Sequence, residues 1–419
     1  MKKIIVFALA MTASQYGFSQ AKNVVSAWKY LDDYQREQDP ASLLKARARI
    51  DTAINDPDTK VEAKTWFYRG EIYLTIFDKE FADQKEKNKA ITDVNKRILT
   101  AYGGTNANDI VQAYLSLKKA RGLDTKKIYV DEIDPKLKET IVHLGNRGIA
   151  FNTVKDYPNA LLMFEDAIDN ASIFNVVDTN DIRSAALEAQ KGKNYDKAKT
   201  YYQKLIDLKY GKGHPYTYLS NMYLQMNDTT NAIATIEKGR AAYPDDIDLL
   251  IAEVNIYMHE PGKKQEAINN LEIAVQKQPN NVDWQLALAS MYDNMANPPA
   301  GQDPPKNYDE LFGKAADHYQ KAIALKPTDF DALYNMGALY NNHGLMLMKK
   351  AEDLPLSDKV NYDKDVAAAK GEYAKAAPFL EDALKVDSTD QKTMLALRQI
   401  YSITNQADKL AKINAEMKK

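Results

Sequence analysis

The 419-residue sequence contains no cysteine. This absence excludes disulfides, thiolate zinc sites and cysteine nucleophiles, and also the lipid-modified cysteine that tethers a bacterial lipoprotein. An excess of charge of one sign is lacking too, because 56 basic residues oppose 58 acidic ones and leave a formal net charge of −2. A balanced charge gives no reason to expect nucleic acid or an anionic membrane surface as the partner.

Long apolar runs are also absent from the sequence. The run Ile4–Ala13 has about half of the ~20 residues that a membrane-spanning helix requires, so no integral membrane anchor is expected. It follows Lys2 and Lys3 and precedes Gly17-Phe18-Ser19, which has the small-x-small pattern of a signal-peptide cleavage site. We therefore expect residues 1–19 to be a cleavable signal peptide and the mature chain to be periplasmic or secreted.

An apolar pattern with helical spacing recurs along most of the chain. Its clearest copy places residues of one helix face before those of a second helix: Leu333, Met336, Gly337 and Tyr340, then Ala376, Leu380 and Ala383. Further copies start near Trp66, Leu144, Ile182, Tyr216, Leu250, Gln285 and Met394. These residues resemble the tetratricopeptide repeat (TPR), a helix-turn-helix unit of about 34 residues. In the family pattern the first helix, helix A, carries Trp/Leu–Leu–Gly–Tyr, and the second, helix B, carries Ala–Phe–Ala.

The resemblance implies an all-α fold, namely a right-handed α-solenoid of about seven to eight TPR hairpins, some of them elongated or interrupted. We expect three regions after the signal peptide. Degenerate repeats with an inserted helix occupy 20–140, a regular array occupies 141–280, and an array with long insertions and a capping helix occupies 281–419. One departure is Glu253, which stands where the pattern has leucine.

Three insertions interrupt the repeat. Residues 90–102 favour an extra helix, and the proline-rich segment 297–305 cannot be helical. Residues His343–Lys350 and Tyr362–Tyr373 keep good helix formers and predict that both helices of one unit are elongated into a spur. Insertions in solenoids often lie on the binding face, although neutral lengthening of surface hairpins is the alternative interpretation.

No arrangement of residues predicts catalysis. Neither HExxH nor GxSxG nor the phosphate-binding GxxxxGK[ST] motif occurs, and the histidines are too far apart to pair within one helix: His143, His214, His259, His318 and His343. The acidic pairs Glu165-Asp166 and Glu381-Asp382 are interpreted as solvated, because adjacent residues on a helix point in different directions. We expect a protein that is not an enzyme, with no cofactor and no metal site.

The family resemblance places certain helix A positions on the concave face of the array. The candidate partner-binding residues there are Tyr218, Asn221, Asn255, Tyr334 and Asn335. Asparagine can hydrogen-bond both the N–H and the C=O of an extended peptide. Aspartates also recur in register on these helices, at Asp248, Asp283 and Asp331, and are interpreted as N-caps.

The sequence therefore favours a non-catalytic protein–protein interaction scaffold of the bacterial cell envelope. It would bind another envelope protein or a peptide segment through the concave groove and the hairpin insertions, and its oligomeric state stays open. The alternative is a soluble glycan- or small-molecule-binding module related to helical outer-membrane nutrient receptors. Those receptors usually carry a lipid-anchoring cysteine, which this sequence lacks.

Overall fold

The computed structural model describes residues 21–260, 262–298 and 304–418. All regular secondary structure in these residues is α-helical, which confirms the all-α class. Two sequence expectations concern residues beyond this range. The signal peptide, 1–19, and the centre of the proline-rich loop, 299–303, lie outside the described residues.

The chain divides into two compact units, Met1–Ala232 and Ile233–Lys419. The described part of the first unit contains the helices α1 (21–37), α2 (Pro40–Ala53), α3 (Ala63–Lys87), α4 (Val94–Gly103), α5 (Ala107–Leu123), α6 (Val130–Thr153), α7 (Tyr157–Ile173), α8 (Thr179–Lys191), α9 (Tyr195–Asp207) and α10 (His214–Gln225). The boundary falls within α11 (Thr229–Ala242). The described part of the second unit contains α12 (Ile247–Tyr257), α13 (Lys264–Lys277), α14 (Val282–Ala296), α15 (Tyr308–Leu325), α16 (Phe330–Glu352), α17 (Lys359–Val386), α18 (Gln391–Ile403) and α19 (Ala407–Glu416).

Successive helices pack as the A and B helices of hairpins, and α4 alone is inserted within a hairpin, between α3 and α5. In the hairpins α3/α5 and α16/α17 the packing depends on a glycine of helix A. A Cβ added to Gly70 would lie 2.5 Å from Cγ of Leu117, and one added to Gly337 would lie 2.5 Å from Cγ of Leu380. Because only a hydrogen fits there, these two positions fix how closely the helices approach.

The turns within several hairpins share one backbone device. A residue with positive φ follows helix A and directly precedes the N-terminal residue that caps helix B. The residues with positive φ are Lys155, Lys193, Asn227 and Asn405, with φ of 62°, 60°, 58° and 57°. The side chain of Asp156 then accepts a hydrogen bond from the N–H of Asn159 at the start of α7. Left-handed backbone followed by a capping side chain reverses the chain within three or four residues.

The predicted capping aspartates are not the caps. The side chains that accept hydrogen bonds from the first N–H groups of α12, α14 and α16 belong to Asp246, Asn281 and Asp329. The recurrent aspartates Asp248, Asp283 and Asp331 lie two residues later, in the first helical turn. The prediction was wrong because a negative charge favours the whole first turn through the helix dipole, so its presence does not locate the cap.

Glu253 is tolerated in place of leucine because it is paired. It is buried on α12, where one carboxylate oxygen lies 3.3 Å from Nε of Arg240 and the other accepts from the hydroxyl of Tyr257 at 3.2 Å. A buried carboxylate without such partners would be strongly destabilising. The departure from the family pattern thus changes the chemistry of the contact and preserves the hairpin.

A tyrosine–glutamate hydrogen bond links neighbouring repeats of the second unit. The hydroxyls of Tyr257 and Tyr401 each donate at 2.9 Å to a glutamate 20 residues earlier, Glu237 and Glu381. The hydroxyl of Tyr292 donates to Glu272 in the same way. Burial and then the glutamate raise the pKa of all three tyrosines. Each bond joins helix A of one hairpin to helix B of the preceding one.

The elongated α16 and α17 form a two-helix spur beyond the length of an ordinary repeat. Within the spur, a Cβ on Gly344 would lie 2.8 Å from Cε1 of Tyr373. A glycine of α16 thus packs closely against a large side chain of α17 here as well. Nearby, Nδ1 of His343 lies 3.3 Å from a carboxylate oxygen of Glu372. The helices turn back at 353–358, where Leu356 is fully exposed.

Candidate partner-binding and metal-binding residues

Two of the candidate partner-binding residues lie on α10 in the first unit. Tyr218 is half-buried, and its ring stacks on the ring of His214 and lies 6.0 Å from that of Tyr202. Asn221, one turn later, is exposed, whereas its neighbour Met222 is buried in the core. The helix thus separates a packing face from an accessible edge that carries one aromatic and one amide side chain.

The other three candidates belong to the second unit. Asn255 on α12 has an exposed side chain, and its backbone carbonyl lies 2.9 Å from Nδ1 of His259. Tyr334 and Asn335 are half-buried neighbours on α16, and the Tyr334 ring stacks on that of Phe330 at 5.8 Å. Burial raises the pKa of Tyr334, with a smaller contribution from a nearby aspartate. All five candidates therefore keep at least part of their side chain accessible.

A cavity that the sequence did not predict lies in the last repeat. It measures about 740 Å³ and is lined by α17, α18 and α19 with the segment between the first two. The buried side chains of Met394, Leu397 and Ile413 supply apolar lining, and Lys385 and Lys412 supply charge. Sequence periodicity marked some of these residues as packing positions. It could not reveal that the space between three helices is incompletely filled.

Three of the four paired carboxylates are less solvated than the sequence predicted, and Asp382 is exposed as expected. Glu165 accepts a hydrogen bond from the hydroxyl of Tyr201 at 2.9 Å and forms an ion pair with Lys197 at 2.8 Å. Its neighbour Asp166 is half-buried, and burial followed by nearby carboxylates raises its pKa to about 6. Glu381 is likewise engaged across helices. These carboxylates hold helices together, so their proximity alone does not indicate acid–base chemistry.

Asp78, Glu139 and His143 form a cluster that the sequence analysis missed. A potential ligand atom from each lies within 4.8 Å of those from the other two. Nε2 of His143 is 3.6 Å from Oδ1 of Asp78 and 3.8 Å from Oε1 of Glu139. The expectation that the chain has no metal site rested on the absence of cysteine and of paired histidines, and a site of histidine with carboxylates gathered from several repeats was not favoured. The i, i+4 spacing of Glu139 and His143 was the available signal, while Asp78 is supplied by another helix.

The chain matches the family model described as TPR repeat over residues 312–344. This segment covers most of α15 and most of α16, including Gly337, which packs on Leu380. Over these residues the chain carries a TPR repeat. Its other hairpins apply the same A–B packing, and the spur and α4 are additions to TPR hairpins.

Solved TPR structures resemble parts of the chain. MamA is 17% identical, with a TM-score of 0.36, and the match covers 51% of this chain and 94% of MamA. YrrB, described as a TPR protein with an unusual peptide-binding site, is 17% identical with a TM-score of 0.34, covering 50% of this chain and 97% of YrrB. A TPR-repeat protein of Bacteroides fragilis is 20% identical with a TM-score of 0.31, covering 63% and 98%.

No curated protein sequence matches the chain. Within the described residues, no helix combines the length and the apolar character needed to cross a membrane.

Proposed function

We propose that this TPR protein is a non-catalytic protein–protein interaction scaffold of the bacterial cell envelope. In this proposal each unit contacts the partner through its own helix A residues, which are Tyr218 and Asn221 in the first unit and Asn255, Tyr334 and Asn335 in the second. The hairpin insertions add contact area. The expected signal peptide, 1–19, supports export of the chain.

The observation that carries the proposal is the division of each helix A into a packing face and an accessible edge. On α12, Leu250 and Val254 are buried, while Asn255 beside them is exposed. On α16, Met336 is buried, while Tyr334 and Asn335 remain partly accessible. The accessible edges carry amides and aromatic rings, which recognise peptide backbone and apolar side chains with little loss of side-chain entropy.

The charge beside these residues favours an internal peptide segment over a free C-terminus. Asp248 lies on the same helix as Asn255, two turns earlier, and Asp331 lies one turn before Asn335. Carboxylates at these positions disfavour a terminal carboxylate through like-charge repulsion. An amide-rich edge with acidic neighbours instead suits an extended segment that offers backbone groups and basic or neutral side chains.

The experiment is affinity purification of the full chain from envelope fractions of the source organism. Asn255→Arg introduces a bulky charge at the proposed contact, and because Asn255 is exposed the fold should persist. Asn269→Arg is a matched control, since Asn269 is an exposed asparagine on helix B of the same hairpin. We expect Asn255→Arg to lose the co-purifying partner and Asn269→Arg to retain it, with equal circular dichroism spectra.

Equal partner retention by both variants would reject the helix A surface as the partner-binding site.

The cavity in the last repeat supports a second candidate function, because about 740 Å³ lies in the size range of small-molecule sites. Binding on a glycan array without any protein partner would favour that candidate. Met394→Trp, which fills the cavity, should then abolish glycan binding, whereas the scaffold proposal expects no effect on partner capture through Asn255.

A further inference from the structure

The cluster of Asp78, Glu139 and His143 is built by an insertion. Asp78 lies on the part of α3 that continues past the family tyrosine, Tyr73, whereas Glu139 and His143 lie one turn apart on α6. The inserted helix α4 contributes Tyr102 beside them. Three side chains from two packed helices are thus held close together on rigid elements, which is the arrangement that a pre-formed ligand set requires.

The ring of His143 is held in a fixed orientation. Its Nδ1 lies 3.0 Å from the hydroxyl of Tyr102, which also accepts a hydrogen bond from Nδ2 of Asn146 at 3.3 Å. The rings of Phe77 and Phe81 pack edge-on against the imidazole at 5.0 and 6.3 Å. A hydroxyl can accept a second hydrogen bond, from Nδ1–H. In that arrangement Nε2 presents its lone pair between the two carboxylates, as in a metal-ligating histidine with an outer hydrogen bond.

The protein offsets the negative charge of the cluster only in part. Among the described residues, no lysine or arginine forms an ion pair with Asp78 or Glu139, and Lys136, whose charge acts on Asp78 at a distance, pairs with Glu71 at 3.2 Å. A divalent cation would supply the missing positive charge.

The separations fit a small divalent ion. Metal–ligand distances of roughly 2.0–2.2 Å place neighbouring donor atoms about 3.0–3.6 Å apart. The distances from Nε2 to the carboxylate oxygens are 3.6 and 3.8 Å, so each nitrogen–oxygen pair needs a contraction of only a few tenths of an ångström. Both carboxylates are about half exposed and can make that adjustment, and water can reach the remaining coordination positions.

We propose that Asp78, Glu139 and His143 bind one divalent transition-metal ion of the Zn²⁺ class. One imidazole nitrogen with two carboxylate oxygens suits such an ion better than Ca²⁺ or Mg²⁺, which favour all-oxygen coordination. The ion links α3 of one hairpin to α6 of the next. Its expected role is to hold these repeats together, since a ligand that binds only the folded state stabilises it.

The test is calorimetric titration of the chelator-treated, untagged full chain with ZnCl₂. We expect one ion per chain and a higher Tm in its presence. Asp78→Asn and Glu139→Gln keep side-chain shape and remove one ligand charge each, and His143→Gln removes the nitrogen ligand. Each should lower the Zn²⁺ affinity at least about 10-fold and abolish the Tm increase.

Glu132→Gln is the matched control, because Glu132 is an exposed glutamate two turns before Glu139 on α6. This substitution removes one negative charge from α6, as Glu139→Gln does, and the variant should bind Zn²⁺ with the affinity of the wild type. The absence of stoichiometric Zn²⁺ binding to the wild-type chain would overturn the proposal. So would equal affinities for the wild type, Asp78→Asn and Glu139→Gln, all with native circular dichroism spectra.

Discussion

The hairpin α3/α5 in the first unit and the hairpin α16/α17 in the second are built on the same contact. Gly70 meets Leu117 and Gly337 meets Leu380 at equal Cβ-to-Cγ distances of 2.5 Å. In each pair the backbone nitrogen of the leucine is also close, at 3.1 and 3.3 Å. The contact survives although the two hairpins carry insertions of different kinds, a separate helix in one and an elongation of both helices in the other.

The residues directly before this contact differ completely. In the first hairpin, Arg69 donates a hydrogen bond to the hydroxyl of Ser116 at 2.7 Å. In the second, the equivalent positions hold Met336, which is buried, and Phe379, which stacks on Tyr340 at 6.1 Å. The glycine–leucine contact sets the helix spacing. The flanking positions need only fill that space with satisfied polar groups or with apolar ones.

The largest expected effect comes from adding one methyl group at the shared contact. Gly70→Ala and Gly337→Ala should each lower the free energy of unfolding by about 2 kcal/mol, because overlap with leucine outweighs the gain in helix propensity. Gly122→Ala on α5 and Gly371→Ala on α17 are matched controls, since nothing lies within 4 Å of their added Cβ. They should gain up to about 1 kcal/mol in urea unfolding. The same sign for all four variants would contradict the shared contact.

The next prediction concerns whether the polar network of the first hairpin, α3/α5, contributes to its stability. Nε of Arg69 also pairs with Asp51 at 2.9 Å, and the Arg69 side chain is 9% exposed. Arg69→Met, which imitates the second hairpin, should cost about 1.5 kcal/mol because Ser116 and Asp51 lose a charged partner. In a double-mutant cycle with Ser116→Ala the two costs should be less than additive. Additive costs would show that Arg69 and Ser116 act independently.

A half-buried carboxylate makes the stability of the first unit depend on pH. Burial, followed by the charge of Asp178, raises the pKa of Asp181 to about 6. A folded-state pKa above the unfolded value of about 3.9 means that stability falls as pH rises through this window. Asp181→Asn should therefore gain about 1 kcal/mol at pH 7.5, after discounting for solvent screening, and nothing near pH 3.5.

Urea unfolding at the two pH values measures this effect. Asp196→Asn is the control, because Asp196 also lies in the first turn of its helix but is exposed. Asp196→Asn should not gain stability at pH 7.5, because an exposed carboxylate is not desolvated. An equal gain at both pH values for Asp181→Asn would exclude ionisation as the cause.

The smallest effect concerns the hairpin turns. The first unit places Lys155, Lys193 and Asn227 at positive φ, and the second places Asn405 there. A lysine with positive φ destabilises the folded state by about 1–2 kcal/mol. Glycine removes this strain, but its greater conformational entropy in the unfolded state cancels part of the gain. Lys193→Gly should gain about 0.5 kcal/mol. The adjacent Gly192, with φ of −76°, offers the reverse control, since Gly192→Ala should not lose stability through backbone strain.

The sequence predicted most features that depend on repeat spacing. Gly70 with Leu117 and Gly337 with Leu380 follow from the family pattern, as do the spur helices. The caps were misplaced by two residues because Asp246 and Asp248 are both compatible with a helix start. The metal cluster could not be predicted, since Asp78 and His143 are neighbours only because α4 and the extension of α3 pack on α6. The partner-binding residues stay a prediction.

The tyrosine–glutamate hydrogen bonds of the second unit also determine which contacts are lost when the chain is shortened between two repeats. Removing the C-terminal hairpin would deprive Glu381 of Tyr401, and cutting before α14 would deprive Glu272 of Tyr292. The junction before α16 is different, because the residue 20 positions before Tyr340 is a glutamine. A recombinant fragment that begins at α16 breaks no bond of this kind. That cut would instead remove the ring contacts of Phe312 with Tyr340 and His343, so aromatic packing takes the place of the tyrosine–glutamate bond at this junction.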